Sequence, residues 1–425
     1  MTPHLRFTLI SLATALAATL PLAAQGNVVI KAGRVITITG EELKDAVIQI
    51  ENGKIKAIGK GLETPWEAKV IDASKQVVMP TYVVAHTSFG MSSGNENMAN
   101  VPYLTVQDAI DPSSRFFEEA LRNGIGTIHV IPGDRTLLGG TGMVVKPFGK
   151  TVEEMAVRAH TGLKMSLLAS GGSRMAQIHK MRRALEDIKT YEADFERRKK
   201  EFEQEKAAGA TTKKEFDEKL DPKKKPVVDL LAGKARAYFY VPSTAELLEA
   251  LRLIKQYKLD VVLVLGPRVH QAVKHLAAVD IPVVLDEAME YREPDPDTEK
   301  EVSHCPAALL TKAGKEYALS IGAANMNHYP WWQMAAAIRN GVSRDTALRS
   351  MTIVPAKVLG LDKEIGSLEV GKTANLQILT GDPLAATSWV DTVLLDGQVV
   401  YERGKDLRLQ HLFGANETTQ PNNPK

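Results

Sequence analysis

Between residues 77 and 355 the chain alternates short apolar runs with segments of helical period, and this alternation limits its folds more than any other feature. Val77-Val78-Met79, Thr127-Ile128-His129-Val130-Ile131, Val261-Val262-Leu263-Val264-Leu265 and Pro282-Val283-Val284-Leu285 read as strands. Residues 115–123, 244–257 and 269–279 read as helices between them. Strands separated by helices pair in parallel, because each crossover returns the chain to the same end of the sheet. A (β/α)8 barrel of about 250 residues suits this length better than an open sheet. No glycine-rich dinucleotide fingerprint follows any of these strands.

Both flanks have a different texture. Residues 27–71 alternate apolar stretches with turns: Val28-Val29-Ile30, Arg34-Val35-Ile36-Thr37-Ile38 and Ala46-Val47-Ile48-Gln49-Ile50 read as strands, and Glu51-Asn52-Gly53-Lys54 as a turn. After Gly360 the β pattern returns, and Val390 to Leu395 and Val399-Val400-Tyr401 read as a hairpin around Asp396-Gly397. Residues 181–225 are dense in Lys, Arg and Glu and read as a long solvated helical insertion ending at Asp221-Pro222. Acidic residues interleave with its basic ones, which argues against a nucleic-acid surface. Residues 411–425 are polar and read as a disordered tail.

The N-terminus supplies an address. His4 and Arg6 precede an alanine- and leucine-rich run, residues 8–22, followed by Ala23-Ala24-Gln25. That order describes a secretory signal peptide, residues 1–24, and predicts an exported protein, periplasmic or extracellular. The run is shorter than the ~20 residues a spanning helix needs. The single cysteine, Cys305, excludes an intrachain disulfide and any multi-cysteine metal site. A formal net charge of +2 on 425 residues gives no electrostatic argument for nucleic acid or an anionic membrane as partner.

Four stretches resemble one family when taken in order. Ile71-Asp72-Ala73 and Val77-Val78-Met79-Pro80 lead into a strand reaching His86. Asp108-Ala109-Ile110-Asp111-Pro112 is followed by residues 120–130 and Leu138-Gly139-Gly140-Thr141-Gly142. Ala347-Leu348-Arg349-Ser350-Met351-Thr352 precedes Pro355-Ala356-Lys357-Val358-Leu359-Gly360. Ile365-Gly366-Ser367, Gly371-Lys372, Asp382-Pro383 and Asp396-Gly397-Gln398-Val399-Val400-Tyr401 close the series. Together they resemble the amidohydrolase superfamily, in particular exported proteins similar to imidazolonepropionase. The resemblance implies a distorted (β/α)8 barrel over residues 80–355 and a composite β-sandwich from residues 25–79 and 356–410. It also implies metal-dependent hydrolysis of non-peptide or cyclic amide C–N bonds, in which a divalent ion, usually zinc, lowers the pKa of a bound water to ~7.

The residues at the ligand positions which the resemblance implies are mostly wrong for a metal. The strand-1 pattern Asp-x-His-x-His corresponds to Val84-Ala85-His86-Thr87-Ser88, leaving His86 as the only retained ligand position. Ala237-Tyr238-Phe239-Tyr240-Val241-Pro242 stands where strand 5 carries histidine, Leu265 where strand 6 does, and Ala324 where strand 8 carries aspartate. One imidazole does not hold zinc against water, since catalytic sites use three protein ligands. No metal cofactor is therefore expected, and zinc is implied only if the family activity survives. Pocket candidates are His86, Ser88, Lys146, Asn325 and His328; Lys146 corresponds to the lysine that some relatives carboxylate. Four of them have an ordinary alternative: a hydrogen-bonded core imidazole for His86, an exposed cation for Lys146, loop polarity for Asn325 and His328. His270 and His275 read as solvated, and His304-Cys305 as unsuited to a dyad. Asn375, where relatives carry aspartate, reads as a structural change. The favoured reading is a non-catalytic binding or assembly homologue, taking a small molecule at the barrel mouth or pairing as a homo- or hetero-oligomer with an intact amidohydrolase. The alternative is an active amidohydrolase with a reduced site around His86.

Overall fold

The structure, a computed structural model, describes residues 27–169, 171–209, 215–286, 290–321 and 329–414. The signal-peptide segment 1–24 lies outside the described residues. In chain order the first strands are β1 (Val28–Val35), β2 (Leu43–Glu51), β3 (Lys54–Gly59) and β4 (Lys69–Pro80). Then come β5 (Tyr82–Thr87), β6 (Ile125–Val130), β7 (Leu138–Thr141), β8 (Met143–Val145), β9 (Ala156–Arg158) and β10 (Leu163–Ser166). β11 (Ala237–Ser243), β12 (Val261–Arg268), β13 (Val283–Leu285), β14 (Tyr291–Pro294), β15 (Glu301–His304) and β16 (Ala318–Leu319) follow, before β17 (Leu376–Leu379), β18 (Val390–Leu395) and β19 (Gln398–Glu402).

The two ends of the chain meet in one seven-stranded sheet, ordered β19-β18-β17-β4-β1-β2-β3. β4 joins them: it runs parallel to β1 and antiparallel to β17, with Leu376 opposite Pro80 and Ile378 opposite Val78. Where the sequence predicts a two-layered sandwich, these strands are hydrogen-bonded as a single sheet. Two hairpins set its registers. Asn52-Gly53 and Asp396-Gly397 all take positive φ, the mirror-image turn whose twist suits tightly paired strands. Ile30, Ile48, Val78, Leu376, Ile378 and Leu394 form the core of this sheet. Asn375 is structural: its Oδ1 accepts the Asp396 amide at 2.8 Å and holds the β18–β19 turn.

The remaining parallel strands lie in two arcs, where the sequence predicts one closed barrel ladder. β5 and β6 pair in parallel within β5-β6-β8-β9; β10, β11, β12, β13 and β16 pair in parallel within β16-β13-β12-β11-β10-β7. β16 lies beside β5, where the Ser320 hydroxyl donates to the His86 carbonyl. Val262, Leu263 and Val264 on β12 are fully buried in the common core. The predicted helix 244–257 is Thr244–Tyr257, while 269–279 breaks into a 3-10 turn, His270–Ala272, and a short helix, Val273–Ala277. The charged insertion starts earlier and stops sooner than its composition suggests. Its helix is Arg174–Ala207, capped by the Ser173 hydroxyl and followed by Gly209 at φ +69°. Met181, Leu185 and Phe195 bury one stripe, and Arg197 pairs with Asp194 and Glu201 on the solvent side. A helix, Leu407–Gly414, begins before the segment read as a disordered tail.

Candidate functional site

Parallel strands deliver polar side chains to one end, because every strand's carboxyl end points the same way. Five such ends contribute here. His86 is the fifth residue of β5; Asp134 follows β6; Lys164 and Ser166 lie on β10; Asp286 follows β13; and Ser320 follows β16. Lys164 and Ser166 are two residues apart and share a face of β10. Gly139 on the adjacent β7 leaves room for that face, since a Cβ there would stand 3.1 Å from Lys164 Cβ.

The cluster centres on a buried amine. Lys164 Nζ lies 2.5 Å from His86 Nε2 and 2.5 Å from Asp134 Oδ1. The Lys164 side chain is wholly buried and passes near the Tyr240 ring, 5.7 Å from its centroid. On the other side of the imidazole, His86 Nδ1 faces Asp286 Oδ1 at 3.6 Å. Ser166 Oγ donates to the Asp134 carbonyl at 2.5 Å, which fixes the loop after β6 against β10.

Burial, then the Lys164 cation, hold the His86 pKa down at about 3, against a smaller opposing pull from Asp134. His86 is thus a neutral ring near pH 7. Its Nε2 accepts from Lys164, and its Nδ1–H is left toward Asp286. Burial pushes the Asp286 carboxyl up to about 6, with Lys164 pulling the other way. His129, one strand over, is a satisfied core histidine: Nδ1 donates to the Ala85 carbonyl at 2.8 Å and Nε2 accepts from the Thr161 hydroxyl at 2.7 Å. Its burial likewise lowers it to about 3.

These residues do not fit a resident metal ion. The two nitrogens of His86 face opposite partners, so one ion cannot meet both Asp134 and Asp286 through that ring. The atom within bonding reach of His86 Nε2 is Lys164 Nζ, a donor with no lone pair to offer while protonated. Among the described residues, the group whose donor atoms converge as a metal site would is His270, Glu293 and His304, and it shares no residue with this cluster. At the other expected ligand positions β11 and β12 carry Tyr240, Val241 and Leu265.

Of the five residues predicted to line the pocket, His86 is in the cluster. Ser88 stands past the end of β5, half-buried against Gly94. Lys146 is placed elsewhere: its amine pairs with Asp396 at the β18–β19 turn, on the seven-stranded sheet. Asn325 and His328 lie outside the described residues. The lysine beside His86 is Lys164, which sequence reasoning missed together with Asp134 and Asp286. The solvated reading of His270 is also corrected: its side chain is nine-tenths buried and its ring stacks on His304 at 4.0 Å. Cys305 is buried at the start of the helix Pro306–Lys312, and burial raises its thiol pKa.

The profile of the Amidohydrolase family matches residues 297–400. The 5-methylthioadenosine/S-adenosylhomocysteine deaminase of Thermoanaerobacter pseudethanolicus is 24% identical over 432 residues, covering 88% of this chain and 94% of its own. The protein of the same name from Acetivibrio thermocellus is 25% identical with the same coverage. Among solved structures, an amidohydrolase from Thermotoga maritima superposes with a TM-score of 0.77 at 27% identity, over 88% of this chain and 100% of that one. A zinc-bound adenosine deaminase from Xanthomonas campestris, 15% identical, shares the fold at a TM-score of 0.51 over 88% of this chain and 92% of its own.

Proposed function

Because the chain belongs to the amidohydrolase superfamily, we propose that it keeps the superfamily scaffold, a distorted (β/α)8 barrel with a composite β-module, as a binding or assembly homologue without the resident metal. One observation carries this reading: Lys164 Nζ lies between His86 Nε2 and Asp134 Oδ1, 2.5 Å from each. An amine there supplies an internal cation beside His86 Nε2 and the Asp134 carboxylate with no added ion, while His86 Nδ1 is left without a hydrogen-bond partner. Water activation by a metal, which lowers the pKa of water to ~7, has no ligand set to support it in this cluster. On this reading the chain is exported, for which the run at residues 8–22 is the support, and it binds a small molecule at the mouth or assembles with itself or with an intact amidohydrolase.

The experiment is a turnover assay of the purified chain on cyclic amides, simple amides and adenine nucleosides, with zinc or manganese added. The reading expects no hydrolysis above that of a His86→Ala variant. Turnover that depends on His86 and is abolished by a chelator would sink it.

A second reading, an active amidohydrolase with a reduced site, draws on Asp286. A carboxyl near pKa 6 at 3.6 Å from an imidazole is suited to proton transfer near neutral pH. The deaminase names of the relatives favour hydrolysis at a C–N bond. This reading requires Asp286→Asn to abolish turnover in the same assay.

A further inference from the structure

We infer that His270, Glu293 and His304 form a binding site for one divalent transition ion of the zinc class, separate from the His86 cluster. Three pieces of chain build it. His270 opens the 3-10 turn that follows β12. Glu293 and His304 come from the two strands of the antiparallel β14–β15 ribbon. The ribbon register pairs Tyr291 with His304 and Glu293 with Val302, so Glu293 and His304 are diagonal neighbours on one face. His270 meets that face from the neighbouring turn.

The donor geometry suits a small ion. Glu293 Oε1 lies 3.1 Å from His270 Nε2 and 3.2 Å from His304 Nε2, and all three donor atoms fall within 4.8 Å of one another. Tetrahedral zinc with ligand bonds of ~2.0–2.2 Å needs donors roughly 3.3–3.5 Å apart. The two nitrogen–carboxylate separations fall within a few tenths of an ångström of that spacing. The two imidazoles stack at 4.0 Å and 5°, so their Nε2 lone pairs run side by side and one ring must turn out of the stack for both to meet one ion.

Chemistry selects the ion. Two neutral imidazoles and a carboxylate suit zinc, cobalt, nickel or copper; calcium and magnesium prefer sets made wholly of oxygen. Without an ion, both imidazoles converge on a single carboxylate oxygen. With one, the two Nε2 lone pairs and the carboxylate share a +2 charge. Glu293 and His304 are partly exposed, which leaves a way in and space for water as a fourth ligand. The ion would tie the β14–β15 ribbon to the turn after β12. This inference does not depend on the reading of the His86 cluster.

The test uses the full chain, stripped by dialysis against a chelator and titrated with zinc chloride by calorimetry, with cobalt absorption as a second readout. One equivalent should bind, with a tetrahedral cobalt spectrum. Single variants His270→Ala and His304→Ala should weaken binding by at least roughly 100-fold, since losing even a group that orients a ligand costs ~10–100-fold. Glu293→Gln should weaken it less, and His86→Ala should leave it unchanged. Circular dichroism of the metal-free variants should match the parent, which separates lost ligation from lost folding. Absence of saturable binding, binding that survives His304→Ala, or binding that vanishes in His86→Ala would each overturn the inference.

Discussion

Replacing Lys164 with methionine keeps most of the length of the side chain and removes the buried charge. In the native protein that charge meets Asp134 Oδ1 and His86 Nε2, each at 2.5 Å, with the lysine side chain fully buried. Removing one partner of a buried ion pair costs ~3–5 kcal/mol, because the other charge stays desolvated and uncompensated. Asp134 retains some water contact, so about 3 kcal/mol is the better figure. Urea unfolding at pH 7 should show this loss at unchanged m-value. A Lys164→Met/Asp134→Asn double variant should recover part of it, giving a coupling of at least about 1 kcal/mol. The pH dependence should change too. The folded pKa of His86 is depressed to about 3 from an ordinary 6.5. Its stabilising contribution is therefore full above pH 6.5 and is lost as pH falls toward 3. Lys164 is part of that depression, so without it the loss in acid should be shallower. A cost below about 1 kcal/mol, with no coupling to Asp134, would refute the idea that this amine neutralises the cluster.

Three further outcomes follow from the same geometry. Asp286 is raised to about 6 from 3.8, so ionising it destabilises the fold and its effect grows as pH rises from about 4 through 6; Asp286→Asn should be more stable than the parent at pH 7, by up to about 3 kcal/mol, and equal to it near pH 3.5 by denaturant unfolding. His129, depressed to about 3, works in the opposite direction, and His129→Gln should flatten the fall in stability between pH 6 and 4 by roughly one proton, or about 1.4 kcal/mol per pH unit. Asn375→Ala removes the acceptor for the Asp396 amide and should cost about 1–2 kcal/mol of stability, while leaving zinc binding at His270 and His304 unchanged.

What could be read from the chain divides along physical lines. The hairpins at Asn52-Gly53 and Asp396-Gly397 were legible because positive φ at two successive positions demands those residues. The helix Thr244–Tyr257 was legible from its period, and Lys258 at φ +53° ends it where the apolar pattern stops. His86 was legible as the end of an apolar strand. Lys164 was not, although Leu163-Lys164-Met165-Ser166 is a short apolar run with polar residues at alternate positions. Burying a lysine is rare, and the family resemblance pointed instead to Lys146. Asp134 and Asp286 stand in loops just beyond strands, and only the parallel registers bring them to one end. His270 and His304 are far apart in sequence, and their meeting depends on the β14–β15 register, which composition does not encode. The two arcs and the single seven-stranded sheet depend on where hydrogen-bonded ladders break, which apolar patterning does not specify.

Metal analysis of the full chain in a His270→Ala/His304→Ala background isolates the His86 cluster. After expression with zinc and manganese, that variant should carry far less than one equivalent of any transition metal, and EDTA should leave its melting temperature unchanged, since an ion that is not bound cannot stabilise the native state. One equivalent of retained metal, lost on adding His86→Ala, together with a melting temperature lowered by EDTA and restored by zinc, would contradict the assignment of Lys164 as the cluster's cation.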